Sequence, residues 1–128
     1  MIEIVGIDHV QLSMPPGGEE QARAFYGEVL GLREVEKPAA LAGRGGCWFA
    51  NDRVSIHLGG ESGFRPLAKA HPALLVGDLA AARAALQVAG LPTEDDDSGL
   101  AVGRCYVRDP FGNRLELVDA ADAGFSLP

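Results

Sequence analysis

The feature that most constrains the fold of this chain is an internal repeat, in which two halves carry the same order of segments. Each half opens with an apolar strand and a helix, continues with an extended stretch and a glycine-rich loop, and closes with two strands. The closing parts match most clearly. A Cys-aromatic-apolar triplet at 47–49 or 105–107 precedes an alternating strand at 54–58 or 113–118. Each half is therefore predicted to run strand, helix, strand, strand, strand.

Both predicted helices follow the usual signals for a half-buried helix. An apolar residue recurs every three or four positions, and a glycine, Gly31 or Gly90, stands where each helix should end. Asp78 is the predicted N-cap of the second helix. The apolar stripes consist of Ala22, Phe25, Tyr26 and Val29 in the first helix and of Leu79, Ala82, Leu86 and Ala89 in the second.

The order of elements predicts the architecture. A βαβββ unit covers only one face of its sheet with its single helix, so two such units are expected to combine. We predict one domain over residues 1–128, made of modules 1–61 and 69–121 joined by a linker. The fold class is α+β, with an eight-stranded cupped mixed sheet and the helices outside. The Asp-Pro and Gly-Asn pairs of "RDPFGNR" (108–114) predict a turn between the last two strands.

Composition narrows the class of protein. The 128 residues carry a net charge of −7, so a nucleic-acid partner and an anionic membrane surface are both disfavoured. The first ten residues have no secretory-signal pattern and no apolar run is long enough to span a bilayer. Cys47 and Cys105 are able to pair, but a reduced state in the cytoplasm is the favoured expectation. The expected partner is a small molecule.

The three histidines all fall at repeat-related positions. His9 and His71 are predicted to lie in the first strand of each half, while His57 and Glu116 take matching places in the last strands, on the faces opposite their aliphatic residues. A single histidine on a strand is more often a surface or hydrogen-bonded residue. The joint pattern favours a metal site at His9, His57, His71 and Glu116, because three imidazoles and a carboxylate suit Zn, Ni, Co, Mn or Fe.

Weaker candidates surround these four positions. Gln11 shares a strand face with His9, and aromatic residues near the last strands either line a pocket or belong to the core. Three arginines are suited to anchoring an anionic substrate, although surface ion pairing is the favoured interpretation. The acidic run at 94–97 is best read as a solvated loop. The aromatic candidates are Trp48, Phe49 and Tyr106, and the arginines are Arg104, Arg108 and Arg114.

At these residues the sequence resembles the vicinal oxygen chelate superfamily, which includes glyoxalase I, methylmalonyl-CoA epimerase, extradiol ring-cleaving dioxygenases, fosfomycin-resistance thiol transferases and bleomycin-resistance proteins. The resemblance covers essentially the whole chain. It is carried by "GIDHVQL", "ARAFYGEVLGL", "HPALLVGDL" and "VRDPFGNRLELVD", of which the last is similar to the closing hairpin of the family.

The resemblance implies a ligand set and a chemistry. His9, His71 and Glu116 fall on the three ligands common to the family, and His57 falls on the fourth position, where glyoxalase I tends to carry Glu and the epimerase Gln. The family chelates a substrate through neighbouring oxygens on a divalent metal that acts as a Lewis acid. By this analogy Glu116 is the base of a glyoxalase-like lyase or isomerase.

Two other functions remain open at this point. An Fe(II) ring-cleaving dioxygenase would use His9, His71 and Glu116 as two histidines and one carboxylate. A metal-free resistance protein would bind an aromatic cationic drug in an acidic cleft, which the charge of −7 fits and the ligand set does not. Short members of the family are usually homodimers, so a homodimer is expected. Whether the ligands come from one chain or two is left open.

Overall fold

The computed structural model describes residues 1–126, which divide into two compact units. The first unit is Met1–Arg65 and the second begins at Pro66. The boundary falls inside the segment 61–70 that was predicted to be the linker, and no helix or strand lies between Gly60 and Ala73.

The first unit has a four-stranded mixed sheet. Strand β4 is central and pairs in parallel with β1 and antiparallel with β3, and β2 adds antiparallel to β3, so the strand order is β1-β4-β3-β2. Helix α1 continues from its first turn into wider π-type turns over Arg23–Val29. The elements are β1 (Val10–Met14), α1 (Glu19–Ala22), β2 (Arg33–Val35), a 3-10 helix (Ala39–Arg44), β3 (Cys47–Ala50) and β4 (Ser55–Gly60).

The second unit repeats this topology. Its strand order is β5-β8-β7-β6, with β5 parallel to β8 and the other pairs antiparallel. The predicted βαβββ modules of the α+β class, each with a mixed sheet, are therefore confirmed. The elements are β5 (Ala73–Val76), α2 (Leu79–Val88), β6 (Thr93–Asp95), β7 (Arg104–Arg108) and β8 (Arg114–Asp119).

The pairing register of the two sheets shows which residues of the repeat are equivalent. In the first unit, His57 is paired with Gln11 on one side and Trp48 on the other. In the second, Glu116 is paired with Ala73 and Tyr106 in the same way. His57 and Glu116 thus occupy the same position in their sheets, as the sequence predicted.

Each sheet buries one face against its helix. In the first unit the helical residues Phe25 and Tyr26 are 2% and 0% exposed, and Tyr26 stacks with Phe49 of β3 at 5.7 Å between ring centroids. Burial of such a side chain stabilises a fold by roughly 1.5–3 kcal/mol. In the second unit the buried residues include Leu79, Leu86, Cys105, Val107, Leu115 and Leu117.

The ends of the helices follow the predicted signals. Asp78 Oδ1 accepts a hydrogen bond from the Ala81 amide at 3.0 Å and caps α2. Gly31 and Gly90 have φ of 75° and 74°, the left-handed conformation that ends a helix. Ala89, predicted to belong to the buried stripe, is instead exposed because it lies at the C-cap. In the described part of the chain, no helix combines the length and apolar character that a membrane crossing would need.

His9 and His71 lie just before the first strands, and their predicted placement inside those strands is wrong. Pairing in the first unit starts at Val10, opposite Ile56, one residue after His9. In the second unit Pro72 follows His71 and has no amide hydrogen to donate, so the strand begins at Ala73.

The predicted turn between the last two strands is confirmed. The buried Asp109 carboxylate accepts hydrogen bonds from the amides of Phe111 and Asn113 at 2.9 and 2.8 Å, and its own amide donates to the Asn113 carbonyl at 2.9 Å. This internally bonded turn fixes the register of β7 against β8, with Arg108 opposite Arg114 and Tyr106 opposite Glu116.

Candidate functional site

Three rings of the first unit form a stack on the polar face of the sheet. The His57 ring lies between Trp48 and His9, with centroid distances of 3.8 and 4.1 Å and interplanar angles of 2° and 16°. Cross-strand pairing places Trp48 beside His57, and His9 reaches the stack from just before β1. The two histidines that sequence analysis assigned to this half are therefore in contact.

His57 is held as a neutral imidazole. Its side chain is buried between the two neighbouring rings, and the residue is 6% exposed. Burial lowers the pKa of His57 below its ordinary 6.5, and the neighbouring His9 lowers it further against the opposing effect of Asp8. At pH 7 the ring therefore presents a lone pair, which is the form that binds a metal or accepts a hydrogen bond.

The proton of His9 can be assigned from its partner. Nδ1 of His9 lies 2.7 Å from the Asp8 carboxylate, which can only accept, so Nδ1 carries the hydrogen. In the neutral ring Nε2 is then the unprotonated nitrogen. A carboxylate in this place orients metal-binding histidines in many proteins. Asp8 was not among the predicted site residues, and its position directly before His9 was the available signal.

His71 in the second unit has the same arrangement with a different acceptor. Its Nδ1 lies 2.7 Å from the Lys69 carbonyl oxygen and must donate to it, and its Nε2 faces Glu116 Oε1 at 2.9 Å. Two acceptor atoms at this distance require a proton or a cation between them. The edge of the His71 ring also contacts Tyr106 at 5.4 Å between centroids.

Glu116 is buried and engaged through both oxygens. Oε1 faces His71, and Oε2 accepts a hydrogen bond from Arg104 Nη1 at 2.9 Å. Arg104 in turn lies 3.8 Å from the Asp96 carboxylate through its Nε. Burial and the neighbouring Glu116 raise the pKa of the Tyr106 hydroxyl, which stays protonated and able to donate a hydrogen bond.

Imidazole and carboxylate donors are chemically suited to a divalent cation, and each unit supplies donors of this kind. Both His9 and His71 present Nε2, and Glu116 presents an oxygen beside His71. In the second unit, His71 Nε2 and Glu116 Oε1 would be the two atoms to hold such a cation, and they lie 2.9 Å apart. The lone pair of an imidazole lies in its ring plane. Because the rings of His9 and His57 are stacked and nearly parallel, both could bind the same cation only if one ring rotated. Within residues 1–126, the structure brings together no group of three or more His, Cys, Asp or Glu side chains that could hold a metal ion.

The predicted pocket residues divide between two sheet faces. Trp48 and Gln11 share the face of His57, and Tyr106 shares the face of Glu116. Phe49 lies on the opposite face of β3, fully buried against Tyr26. We therefore assign Phe49 to the core and leave it out of the pocket, because strand alternation turns it away from Trp48.

A family model describes the same residues. The Glyoxalase/Bleomycin resistance protein/Dioxygenase superfamily matches the chain over residues 6–117. The chain belongs to this superfamily. Among curated proteins, none gives a significant match.

Solved structures extend the comparison. A protein from Bacillus anthracis assigned to the glyoxalase family is 46% identical, with a TM-score of 0.88 over 93% of this chain and 98% of that one. An antibiotic binding protein from a Streptomyces species is 24% identical, with a TM-score of 0.67 over 91% of this chain and 98% of that one. A fosfomycin resistance protein from Listeria monocytogenes is 13% identical, with a TM-score of 0.69 over 91% of this chain and 92% of that one. The last two show the fold alone.

Proposed function

We propose that this chain is a small-molecule metalloenzyme of the glyoxalase-like type, with His9, His57, His71 and Glu116 as ligands of a divalent cation. One observation carries the proposal. His9 and His71 stand before equivalent strands, and each engages its Nδ1 with an acceptor, so each offers Nε2. The shared arrangement supports a common role for the two imidazoles.

The contact between His71 and Glu116 supports the proposal further. If Nδ1 of His71 holds the only ring proton, Nε2 and the carboxylate oxygen face each other as acceptors at 2.9 Å. A protonated imidazole would relieve this contact, and so would a bound cation. The other Glu116 oxygen is held by Arg104, which fixes the orientation of the carboxylate.

A bound divalent cation would supply a Lewis acid that stabilises an enolate or oxyanion on a substrate with vicinal oxygens. The chain's own residues would then position and move the proton. Arg104 anchors Oε2 of Glu116, so Oε1 is the oxygen that would take a proton from carbon, which requires it to leave its contact with His71. His57 and Trp48 give the first unit a flat wall against which the substrate can lie. These contacts support a lyase or isomerase with Glu116 as base.

A second candidate function is favoured by the aromatic stack. Trp48, His57 and His9 form a nearly parallel series of rings, and such a series binds flat aromatic molecules without a metal. The net charge of −7 suits a cationic ligand. In this case the protein would be a metal-free drug-binding protein, and Glu116 would have no role as a base.

Metal content per chain separates these two functions. We expect purified protein to bind a divalent cation when offered Zn, Ni, Co, Mn or Fe(II), measured by elemental analysis after gel filtration. His9→Ala, His71→Ala and Glu116→Ala should each lower the bound metal at limiting concentration by roughly tenfold or more. Glu61→Ala, which changes an exposed carboxylate of the same chain, is the control.

Glu116→Gln is the sharper variant, because its amide oxygen still accepts from Arg104 while it cannot serve as a base. It should keep the fold and lose turnover of any substrate found with the loaded protein. Wild-type metal content in all three alanine variants, or no cation bound by the wild type, would overturn the metalloenzyme proposal. Binding of planar cationic aromatics by the metal-free protein would then support the second candidate.

A further inference from the structure

The hairpin β7–β8 places two arginines directly opposite each other. Arg108 pairs with Arg114 across the strands, on the face that also carries Tyr106 and Glu116. Like charges at directly opposite positions destabilise a sheet. The pair occurs in a chain whose net charge is −7, in which carboxylates are the more abundant charged groups.

Neither arginine has a carboxylate partner within residues 1–126. The Arg114 guanidinium lies over the Tyr106 ring at 3.8 Å, and its buried Nε has no hydrogen-bond partner among the described residues. Arg108 donates from Nη1 to the Gly112 carbonyl at 3.2 Å, and its other nitrogens make no hydrogen bond to residues 1–126. Other arginines of the chain do have such partners: Arg23 pairs with Glu34, Arg83 with Asp95 and Arg104 with Glu116.

The nearby carboxylates do not neutralise the pair. Glu116 is engaged by Arg104 and His71. Asp109 is buried in the turn and accepts from the amides of Phe111 and Asn113 and from the Asn113 side chain. Glu94 lies on β6 opposite Tyr106 and is exposed, one strand further away from Arg114. The face therefore offers two guanidiniums to a ligand.

We propose that Arg108 and Arg114 bind an oxyanion group of the substrate, either a carboxylate or a phosphoryl group. Guanidinium nitrogens match the paired oxygens of both groups. This inference rests on the proposed function and specifies its substrate class. Arg114 and Glu116 are two residues apart on one strand face, which is about 7 Å. The anionic group of the substrate therefore lies a few bonds from the carbon that faces Glu116.

The test is to titrate inorganic phosphate and, separately, acetate into the metal-free protein at constant ionic strength. Changes in NMR chemical shifts measure the binding of each anion. The wild type should bind one of the two anions with a millimolar Kd, and the stronger one identifies the group. Arg108→Gln and Arg114→Gln should each weaken that binding by about tenfold, and the double variant should abolish it. Arg114→Lys keeps the charge without the paired donors and should be intermediate.

Arg33→Gln is the matched control, because Arg33 is an exposed strand arginine of the other unit. It should bind both anions as the wild type does. Urea unfolding in chloride buffer should show Arg108→Gln at least as stable as the wild type, since a like-charge pair is removed. A merely structural role for Arg108 would instead lower the stability.

The inference is overturned if the wild type binds neither anion, or if the double variant binds them unchanged. Its failure is distinguishable from failure of the proposed function, because metal content is measured separately and without phosphate. Arginine-dependent anion binding in a protein that takes no metal would leave the anion site standing and refute the metalloenzyme. Metal binding without anion binding would do the reverse.

Discussion

At the scale of single residues, Asp8 controls which nitrogen His9 presents. Its Oδ2 accepts a hydrogen bond from His9 Nδ1 at 2.7 Å, although the Asp8 side chain is 95% exposed and the residue lies in no helix or strand. If His9 binds a cation, Asp8→Ala should weaken metal affinity by about tenfold, because outer partners of metal-binding histidines contribute 10- to 100-fold. Competition with a chromophoric chelator measures this affinity.

Glu3→Ala, which removes another exposed carboxylate from the same segment, is the control and should leave the affinity unchanged. An equal loss in both variants would mean that only net charge near the site matters. No loss in Asp8→Ala would show that His9 is positioned without Asp8.

The two thiols are the other residue-scale feature with a direct consequence. Cys47 and Cys105 are free and buried, at 2% and 0% exposure. Burial raises the pKa of Cys47 to about 11 and also raises that of Cys105. A raised thiol pKa means that little thiolate exists at pH 8, and the thiolate is the reactive form.

We therefore expect native protein at pH 8 to react very slowly with a disulfide reagent such as dithionitrobenzoate. Both thiols should react at once in denaturing urea. Rapid reaction of the native protein would show that one of the two cores opens readily, and a missing thiol after denaturation would show a disulfide.

At the scale of elements, a glycine decides how β3 enters the first sheet. Gly46 precedes β3 with φ of 82°, and a Cβ at this position would collide with the backbone carbonyl oxygen of Leu58 on β4. Gly46→Ala should cost about 2 kcal/mol or more in the free energy of unfolding, because the left-handed conformation alone costs roughly 1–2 kcal/mol. Urea denaturation measures the difference.

Gly17→Ala is the comparison that separates the cost of the steric collision from the cost of the left-handed backbone conformation. Gly17 has φ of 86°, yet a Cβ there would meet nothing within 4 Å. Its cost should be limited to the conformational part, so Gly46→Ala should be clearly the more destabilising of the two. Equal costs would mean that β4 moves aside easily.

At the scale of the whole molecule, the apolar side chains of the N-terminal segment are exposed. Its four aliphatic residues are between 85% and 91% exposed, and no helix or strand lies before Val10. Such clustered exposure in a protein favours an interface. The residues are Ile2, Ile4, Val5 and Ile7.

We expect a homodimer by light scattering, with a mass of twice 13.4 kDa at micromolar concentration. Ile4→Asp combined with Ile7→Asp should shift the protein towards monomer, because a buried unpaired charge is costly. Val88→Asp changes an aliphatic residue of α2 that is 90% exposed and should leave the mass unchanged. A monomeric wild type would contradict the dimer, and a dimeric double variant would place the interface elsewhere.

Several features followed from the sequence by itself because local rules decide them. The βαβββ order of each unit follows from the periodicity of the apolar residues. The start of α2 follows from the N-cap preference of Asp78, and the last hairpin follows from its Asp-Pro and Gly-Asn pairs. The shared register of His57 and Glu116 follows from the repeat, since equivalent segments of related modules pair in equivalent ways.

The tertiary structure alone decided where pairing begins and what each side chain meets. Pairing of β1 with β4 starts at Val10, one residue after His9, and Phe49 packs into the core against Tyr26. The contacts of Glu116 with Arg104 and His71 join residues 12 and 45 positions apart. Local patterns carry no information about such contacts, because they depend on how strands assemble rather than on how each one forms.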